Sequence, residues 1–576
     1  MTETRKKAVG GEFLIKKASA DDVFTPEDLS EEQKMIQRTA REFVEREVLP
    51  NNERIENQDF DVVVNLLKKA GELGLLAHSV PEAYGGLGLD KVTKGIVGEM
   101  VGRSGSYGVA HSNHTCIATL PITYFGTKEQ KEKYLPKLAS GEYIGAYCLT
   151  EPSSGSDALS AKTTAVLNED GTHYKLNGSK QWITNAAFSQ TFIVYAKVDG
   201  KKFTAFIVEK DFPGLSLGPE ENKMGIKGSS TRTVILEDCL VPVENVLGEV
   251  GKGHQIAFNV LNLGRFNLGS ACVGSSRDAL QLGVAYTDER MQFGRSIASF
   301  NATKEKLADL ASRIFAAEAV QYRTAGLLEE ALGDLYVEDD SKVTAKALSE
   351  FAIECAICKV FGSETLDQAV DEVLQLHGGY GFMKDYRIEQ MYRDSRINRI
   401  FEGTNEINRL IIPGFLMKKA ASGSLNVEKS VKQAFYESQS GTNTGAPGLE
   451  NTIEAMRRVF LIAAGYATEQ FGSNLEEEQE TMLKLADLAI SLYAAESAVI
   501  RALKSGSSIA VKMAENFVGN ERLAFELTAR KLIDGIGGEK AVHMRELLFN
   551  EFSRLVGEAD FNRKREIADE LIKNKK

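Results

Sequence analysis

Apolar residues in the first part of the chain recur at helical spacing. Between positions 35 and 48 they include Ile36, Phe43, Val44 and Val48, one face of a helix. Thr25-Pro26 is a helix opening with proline in its favoured first position, and Ser30 with Gln33 makes a capping-box pattern. Pro50 should stop that helix. Residues 1–24 read as a polar arm. Residues 25–145 read as an N-terminal helical domain, interrupted by Ala83-Tyr84-Gly85-Gly86-Leu87-Gly88. Between 146 and 250 the pattern changes. Phe192-Ile193-Val194-Tyr195-Ala196, Phe203-Thr204-Ala205-Phe206-Ile207-Val208 and Thr233-Val234-Ile235-Leu236 are β-branched and aromatic, and turn signals at Asp199-Gly200, Pro213-Gly214 and Gly225 separate them. They predict a small antiparallel β-domain. Helical spacing returns near Gly253 and defines a bundle over 251–420. Residues 421–450, which include a stretch rich in Ser, Gly, Thr and Asn at 438–448, read as a linker. Residues 451–576 read as an additional C-terminal helical domain.

That last domain carries an echo. Leu485-Ala486-Asp487-Leu488-Ala489, continuing to Tyr493-Ala494-Ala495-Glu496, nearly repeats Leu307-Ala308-Asp309-Leu310-Ala311, continuing to Phe315-Ala316-Ala317-Glu318. The tail therefore reads as a degenerate copy of the preceding bundle. Its stripe of Leu485, Leu488, Leu492, Ala495 and Val499 reads as a packing face.

With 576 residues, several domains are expected. A hydrophobic share of 43% and a charged share of 26% are those of a soluble globular protein. The net charge of −12 argues against nucleic acid as a partner. Six cysteines make no disulfide framework and suit a reducing cytoplasm. Phe13-Leu14-Ile15 is too short for a signal-peptide core, and no stretch approaches the roughly 18 apolar residues of a membrane span. The expected location is cytoplasmic, with peripheral membrane contact left open.

The first candidate chemistry lies in Ile400-Phe401-Glu402-Gly403-Thr404-Asn405-Glu406, just ahead of a predicted helix start. An apolar neighbour desolvates the Glu402 carboxylate and raises its pKa towards neutrality, as a general base requires. Gly403 lets the backbone approach a ligand. Taken alone, this is more simply a solvated loop acid. The second candidate is Tyr147-Cys148-Leu149-Thr150-Glu151-Pro152-Ser153-Ser154-Gly155-Ser156-Asp157. Three further segments accompany them: Trp182-Ile183-Thr184, Arg290-Met291-Gln292-Phe293-Gly294, and Gln375-Leu376-His377-Gly378-Gly379-Tyr380-Gly381-Phe382.

In this order, over residues 30–420, these segments resemble the signatures of the acyl-CoA dehydrogenase family. The chain is most similar to the long-chain and very-long-chain branch, which adds a C-terminal helical domain. The resemblance implies a mainly α fold: N-terminal helical domain, middle antiparallel β-domain, four-helix bundle and an extra helical domain. It implies α,β-dehydrogenation of fatty acyl-CoA to trans-2-enoyl-CoA in fatty-acid β-oxidation, with FAD as cofactor and an electron-transferring flavoprotein as electron acceptor. Glu402 would take the α-proton, and hydride would pass to flavin N5. Thr150, Tyr147, Leu149, Trp182 and Thr184 would meet the flavin. Arg290, Phe293, Asn301, Gln375, Gly378 and Gly379 would meet the rest of FAD across a subunit interface, with Thr404 and Glu406 closing the site. Asn301 and Glu406 depart from the residues common there. Ser156 would serve both FAD and substrate, while Asn262 and Arg265 would meet the CoA part, beside Phe401 and Gly403. The branch further implies a homodimer. An acyl-CoA oxidase of the same fold, or a scaffold without turnover, are the competing readings.

Other patterns carry less. Cys355-x-x-Cys358 lies in a helical run with no partner pair, and His111-x-x-His114 lacks a third ligand, so no metal is expected. Gly248-x-x-Gly251-x-Gly253 has no βαβ unit around it.

Overall fold

A computed structural model describes residues 8–333, 335–338, 340–440, 448–553 and 560–574. Helices precede and follow one sheet. The Ser30 hydroxyl accepts from the Gln33 N–H at 3.1 Å, and the Gln33 side chain accepts from the Ser30 N–H at 3.0 Å, so helix Glu31–Phe43 starts where its pattern predicts. Thr25-Pro26 opens only a single 3-10 turn, Pro26–Asp28. Pro50 lies in another, Leu49–Asn51, from which the chain continues into Asn52–Glu56. Six further helices matter below: α1 (Lys91–Gly102), α2 (Gly253–Glu289), α3 (Asn301–Leu332), α4 (Ala352–His377), α5 (Asn405–Ala421) and α6 (Gln479–Ser505).

The sheet has eight strands: β1 Gly145–Cys148, β2 Thr164–Leu167, β3 His173–Thr184, β4 Thr191–Val198, β5 Lys202–Glu209, β6 Leu215–Glu220, β7 Thr231–Pro242 and β8 Val246–Leu247. Their order is β6-β7-β3-β2-β4-β5-β8, with β1 also on β4. Most pairs are antiparallel, while β4 runs parallel to both β1 and β2. β4 is buried along nearly its whole length, because helices cover it as well as strands.

Two expectations need correction. The arm at 1–24 is not simply polar: Phe13 and Leu14 are buried, and the Phe13 ring packs 4.6 Å from that of Tyr493 in α6. The Gly11 N–H donates to Glu354 Oε1 at 2.7 Å. An apolar triplet too short for a membrane is long enough to plug a core. The stretch expected as a linker, 421–450, instead contains the helix Val427–Ser440. Its Val427, Val431 and Phe435, four residues apart, pack against the core, and a Cβ at Gly465 would meet Val431 Cγ1 at 2.4 Å. Polar neighbours hide that stripe in the sequence. The Ser- and Gly-rich residues 441–447 lie outside the described residues.

The echo helices α3 and α6 lie against each other. In each, a Glu is followed five positions later by an Arg. Arg323 of α3 donates to Glu496 of α6 at 2.8 Å, and Arg501 of α6 pairs with Glu318 of α3 at 2.6 Å. The Arg323 guanidinium lies 4.4 Å from the Tyr493 ring centre, and that of Arg501 lies 4.2 Å from the Phe315 ring centre. Counterpart positions thus exchange the same contacts, as in a two-fold interface between identical subunits. The tail docks on the bundle as a copy would.

Candidate active site

Glu402 follows a 3-10 turn at Arg396–Arg399 and precedes α5. Its φ is 57°, a left-handed conformation that costs a non-glycine residue about 1 kcal/mol or more. The next residue, Gly403, has φ 80°, which glycine adopts freely. Thr404 caps α5 by accepting from the Ile407 N–H at 3.3 Å. Asn408 Nδ2 donates to the carbonyls of Glu402, Gly403 and Thr404 at 3.3, 2.8 and 3.0 Å, and so holds the turn.

This turn aims the Glu402 carboxyl inward. The residue is half-buried as a whole, yet its Oε2 is enclosed and has no hydrogen-bond partner. A Cβ at Gly264 of α2 would lie 2.9 Å from that oxygen and 3.1 Å from Ile117 Cγ2, so the missing side chain leaves room for the acid. Burial pushes the Glu402 carboxyl up to about 7, against the opposing pull of Arg265 and Lys359. Arg265 is buried beside it; its Nε donates to the Glu402 carbonyl at 3.4 Å, and its guanidinium reaches Asn262 Oδ1 at 2.8 Å. Asn262 in turn donates to the Leu348 carbonyl at 3.2 Å. Arg265 and Asn262 are therefore turned to the acid and the core, not to a surface where the CoA phosphates would meet them. An arginine in the apolar face of α2 is spent locally. Phe401 packs on a neighbouring core, and Gly403 stays in the turn.

From the sheet, Tyr147 reaches the same region. It is buried against Tyr195, with ring centres 5.4 Å apart, and its phenol is pushed up by burial, then by Tyr195 and by Glu402. Leu149 is buried beyond it, and Thr150, two residues past the end of β1, is half-exposed. The Thr150 carbonyl accepts from the Gln181 N–H at 2.9 Å, so Thr150 sits beside Trp182. The pairing of β3 with β7 slips between Lys180 and Ile183, and at this bulge Trp182 takes φ 60°. The bulge turns the ring outward, leaving it 59% exposed, with Thr184 half-buried two residues on. A large flat apolar ring held on a sheet surface beside a threonine suits a planar aromatic ligand. Beneath, Glu151 and Lys180 form a buried ion pair at 2.6 Å that pins the segment.

A second grouping lies at the end of α2 and α4. Arg290, Gln375, Gly378 and Gly379 line an open cleft of about 450 Å³ with Tyr286, Tyr380 and Met383. Gly378 has φ 58°, and a Cβ at Gly378 or Gly379 would meet nothing within 4 Å, so this backbone is open to a ligand. The Arg290 guanidinium stands 5.3 Å from the Tyr380 ring centre. Phe293 is the first residue of a two-residue hairpin turn, with φ 52° followed by Gly294 at 78°, and is 92% exposed. It projects from the molecule and does not line the cleft. Asn301, Ser156 and Glu406 are exposed and join neither grouping, while Thr404 acts as the cap of α5.

Three residues escaped the sequence reading: Gly264, Asn408 and Lys359. Lys359 is buried, donates to Asn405 Oδ1 at 2.6 Å and is pushed down to about 8 by burial. A lysine inside the otherwise apolar run from Cys355 to Phe361 was the available signal.

Comparison with known proteins recovers the same order of domains. The N-terminal, middle and C-terminal domain families of acyl-CoA dehydrogenase match residues 30–142, 146–239 and 251–416. A further C-terminal domain family of acyl-CoA dehydrogenase matches 455–545. A probable acyl-CoA dehydrogenase of Bacillus subtilis is 54% identical over 504 residues, covering 86% of this chain and 85% of that protein. The human mitochondrial very long-chain specific acyl-CoA dehydrogenase is 37% identical over 544 residues, covering 87% and 79%. The crystal structure of an acyl-CoA dehydrogenase complexed with FAD from Bacillus anthracis is 48% identical, with a TM-score of 0.96 over 99% of each chain. With its four domain matches in order and a relative 54% identical over most of its length, this chain belongs to the acyl-CoA dehydrogenase family.

Proposed function

We propose that this FAD-dependent acyl-CoA dehydrogenase oxidises fatty acyl-CoA thioesters, long chains above all, in β-oxidation, with Glu402 as base. The observation that carries this reading is the Glu402 carboxyl: enclosed, unpartnered at Oε2, and raised to about 7. Such a group is half ionised near neutrality and has a free oxygen for the α-proton. Gly264 provides the space in front of it. The Glu402 N–H is the proposed donor to the thioester oxygen, where charge grows as the proton leaves. Thr150, Thr184 and Trp182 would orient the flavin, and Arg290 with Gln375 and the Gly378-Gly379 backbone would hold phosphates of FAD. FAD supplies the acceptor for the β-hydrogen. Electrons would then leave to an electron-transferring flavoprotein.

A homodimer completes the proposal. Phe293 and Phe382, 92% and 83% exposed, stand next in sequence to the cleft residues Gln292 and Met383, with Met291 also exposed. A second copy would cover this apolar face. A tetramer or monomer mass in light scattering would overturn that part.

The test is anaerobic mixing of the purified yellow enzyme with a long-chain acyl-CoA. Wild type should bleach, and Glu402→Gln should retain FAD but bleach slower by about 1,000-fold or more, as expected for loss of an essential base. Equal bleaching in the variant would reject Glu402. Peroxide formed in air without an added acceptor would replace dehydrogenase by oxidase.

A further inference from the structure

α4 carries a buried charge that no directly bonded carboxylate cancels. Lys359 is fully buried, and its Nζ donates to Asn405 Oδ1 at 2.6 Å. An amide oxygen fixes an ammonium in place without neutralising it. Lys180 shows the alternative: equally buried, it meets the Glu151 carboxylate at 2.6 Å and is paired on the spot. An ammonium buried among neutral groups alone opposes folding, so an anion must lie within its reach.

The Asn405 amide is held the right way round from its other end. Its Nδ2 donates to Glu364 Oε1 at 3.0 Å and to the Ser363 hydroxyl at 3.1 Å, which leaves Oδ1 to face Lys359. Glu364 takes two bonds from Arg409, at 2.8 and 3.0 Å, and is thereby matched by a guanidinium of its own. Besides Glu364, the groups within electrostatic reach of Lys359 are Cys272 and Arg265 of α2 and Glu402. Burial pushes the Cys272 thiol up to about 12, so it carries no charge. Arg265 is a second cation, and its bonds go to the Glu402 carbonyl and to Asn262 Oδ1. The acid left for Lys359 is Glu402.

The surroundings of Glu402 lead to the same pair. Its carboxyl faces Arg265 and Lys359, with the Cys116 thiol and the Tyr147 phenol also in reach. Cys116, which also meets Lys94 of α1, and Tyr147 are both pushed up by burial and stay uncharged. Glu402 Oε2 has no hydrogen-bond partner, so charge on it is balanced across space and not through a bond. In an enclosed site that attraction is screened little.

We propose that Lys359 is a positioning residue for the dehydrogenation: held by the neutral Asn405 amide, it directs its charge at the Glu402 carboxyl and keeps that base ionised. This rests on Glu402 being the base.

The experiment follows flavin bleaching by one subsaturating long-chain acyl-CoA across the neutral pH range, in FAD-loaded wild type, Lys359→Gln and Lys359→Arg. Removing a positive charge disfavours the ionised carboxyl, so the midpoint in Lys359→Gln should move up by about one pH unit. Bleaching should then be about 10-fold slower on the acid side and equal to wild type once Glu402 is fully ionised. Lys359→Arg should return the midpoint to the wild-type value. A midpoint unmoved in Lys359→Gln overturns the proposal, even where the rate falls equally at every pH, since that is the mark of a purely structural lysine. A midpoint that stays high in Lys359→Arg assigns the shift to packing and overturns it as well. Should Lys359→Gln fail to load FAD, reciprocity supplies a second reading, because Glu402 must favour the Lys359 charge as much as Lys359 favours its own. In Glu402→Gln the Lys359 ammonium, followed by NMR at its ε-carbon, should titrate about one pH unit lower than in wild type. An unchanged titration overturns the proposal. If wild type bleaches at no pH, the dehydrogenase reading itself fails and takes the proposal with it, which is a distinct result.

Discussion

α3 and α6 share a contact code, yet they lead to different places. Asp309 of α3 is held by Lys564 at 2.9 Å and by Asn516 at 2.9 Å, both from the tail. Its counterpart in α6, Asp487, accepts from Arg409 at 2.7 Å, and Arg409 belongs to α5, the helix whose capped start carries Glu402. Arg409 goes on to Glu364 of α4 at 2.8 Å. One half of the pseudo-symmetric interface therefore ties the tail to the bundle helix α3, and the other half braces the helix that follows Glu402. Similar sequence gives similar packing. Chemistry sits only where the symmetry ends.

Breaking the exchanged ion pairs should have the largest effect. Glu496 also accepts from Arg457, so Glu496→Gln leaves the buried Arg323 guanidinium without its ion-pair partner and takes one of two carboxylates from Arg457, which keeps Glu454. That should cost about 3–5 kcal/mol, read as a lowered thermal midpoint of the FAD-loaded enzyme. Glu318→Gln takes one carboxylate from each of Arg501 and Arg277, but Arg501 keeps Glu27 at 3.1 Å, and the partly exposed Arg277 keeps Glu99 at 2.9 Å. Its loss should be smaller. Equal losses would mean that the interface is energetically as symmetric as its geometry.

Much of this was legible beforehand, and what was not has a common cause. The Glu402 turn stood out because its segment falls in order with four others that resemble one family, whereas Glu402-Gly403-Thr404 alone reads more simply as a solvated loop acid. The echo was readable because Ala and Leu positions repeat in register. The burial of Arg265 and the hollow at Gly264 were not readable, since each depends on the packing of α2 against other elements. Likewise the 427–440 helix was hidden, because its apolar stripe matters only once a neighbouring helix covers it. Nor does a perturbed acid by itself identify the site. Glu354 is raised to about 7 with an unpartnered Oε2, yet its other oxygen takes the Gly11 N–H and it merely fastens the N-terminal segment.

A middle-sized effect separates the working acid from its surroundings. The Glu402 carboxyl titrates near 7 when folded and near 4.5 when unfolded. Between these pH values the folded enzyme keeps a proton that the unfolded chain has lost, so stability falls as pH rises, and the full penalty stands above pH 7. Glu402→Gln removes that penalty. The variant should be more stable than wild type by about 1–3 kcal/mol at pH 8 and gain little below pH 4.5. A pH-independent difference would show that Glu402 is not buried as an acid. In the same range, wild-type flavin bleaching should rise with pH as the base ionises.

The smallest effect tests where the two helices stop matching. Tyr493 and Thr324 join their hydroxyls at 3.0 Å across the buried interface. The corresponding positions are Phe315 and Ala502, neither of which has a hydroxyl to offer. This one bond therefore exists on one side of the pseudo-axis only. Tyr493→Phe should cost about 1 kcal/mol, the net worth of a buried neutral hydrogen bond, and Thr324→Ala a similar amount. Because both changes remove the same bond, the double variant should lose much less than the sum of the two. Phe315→Tyr with Ala502→Thr would supply the missing bond on the other side, and a gain in thermal midpoint would show that the pseudo-axis still governs the packing there. Additive losses in the first pair would mean that Tyr493 acts through its ring against Arg323 and Phe13, both of which touch it, and that the hydroxyl pair is incidental.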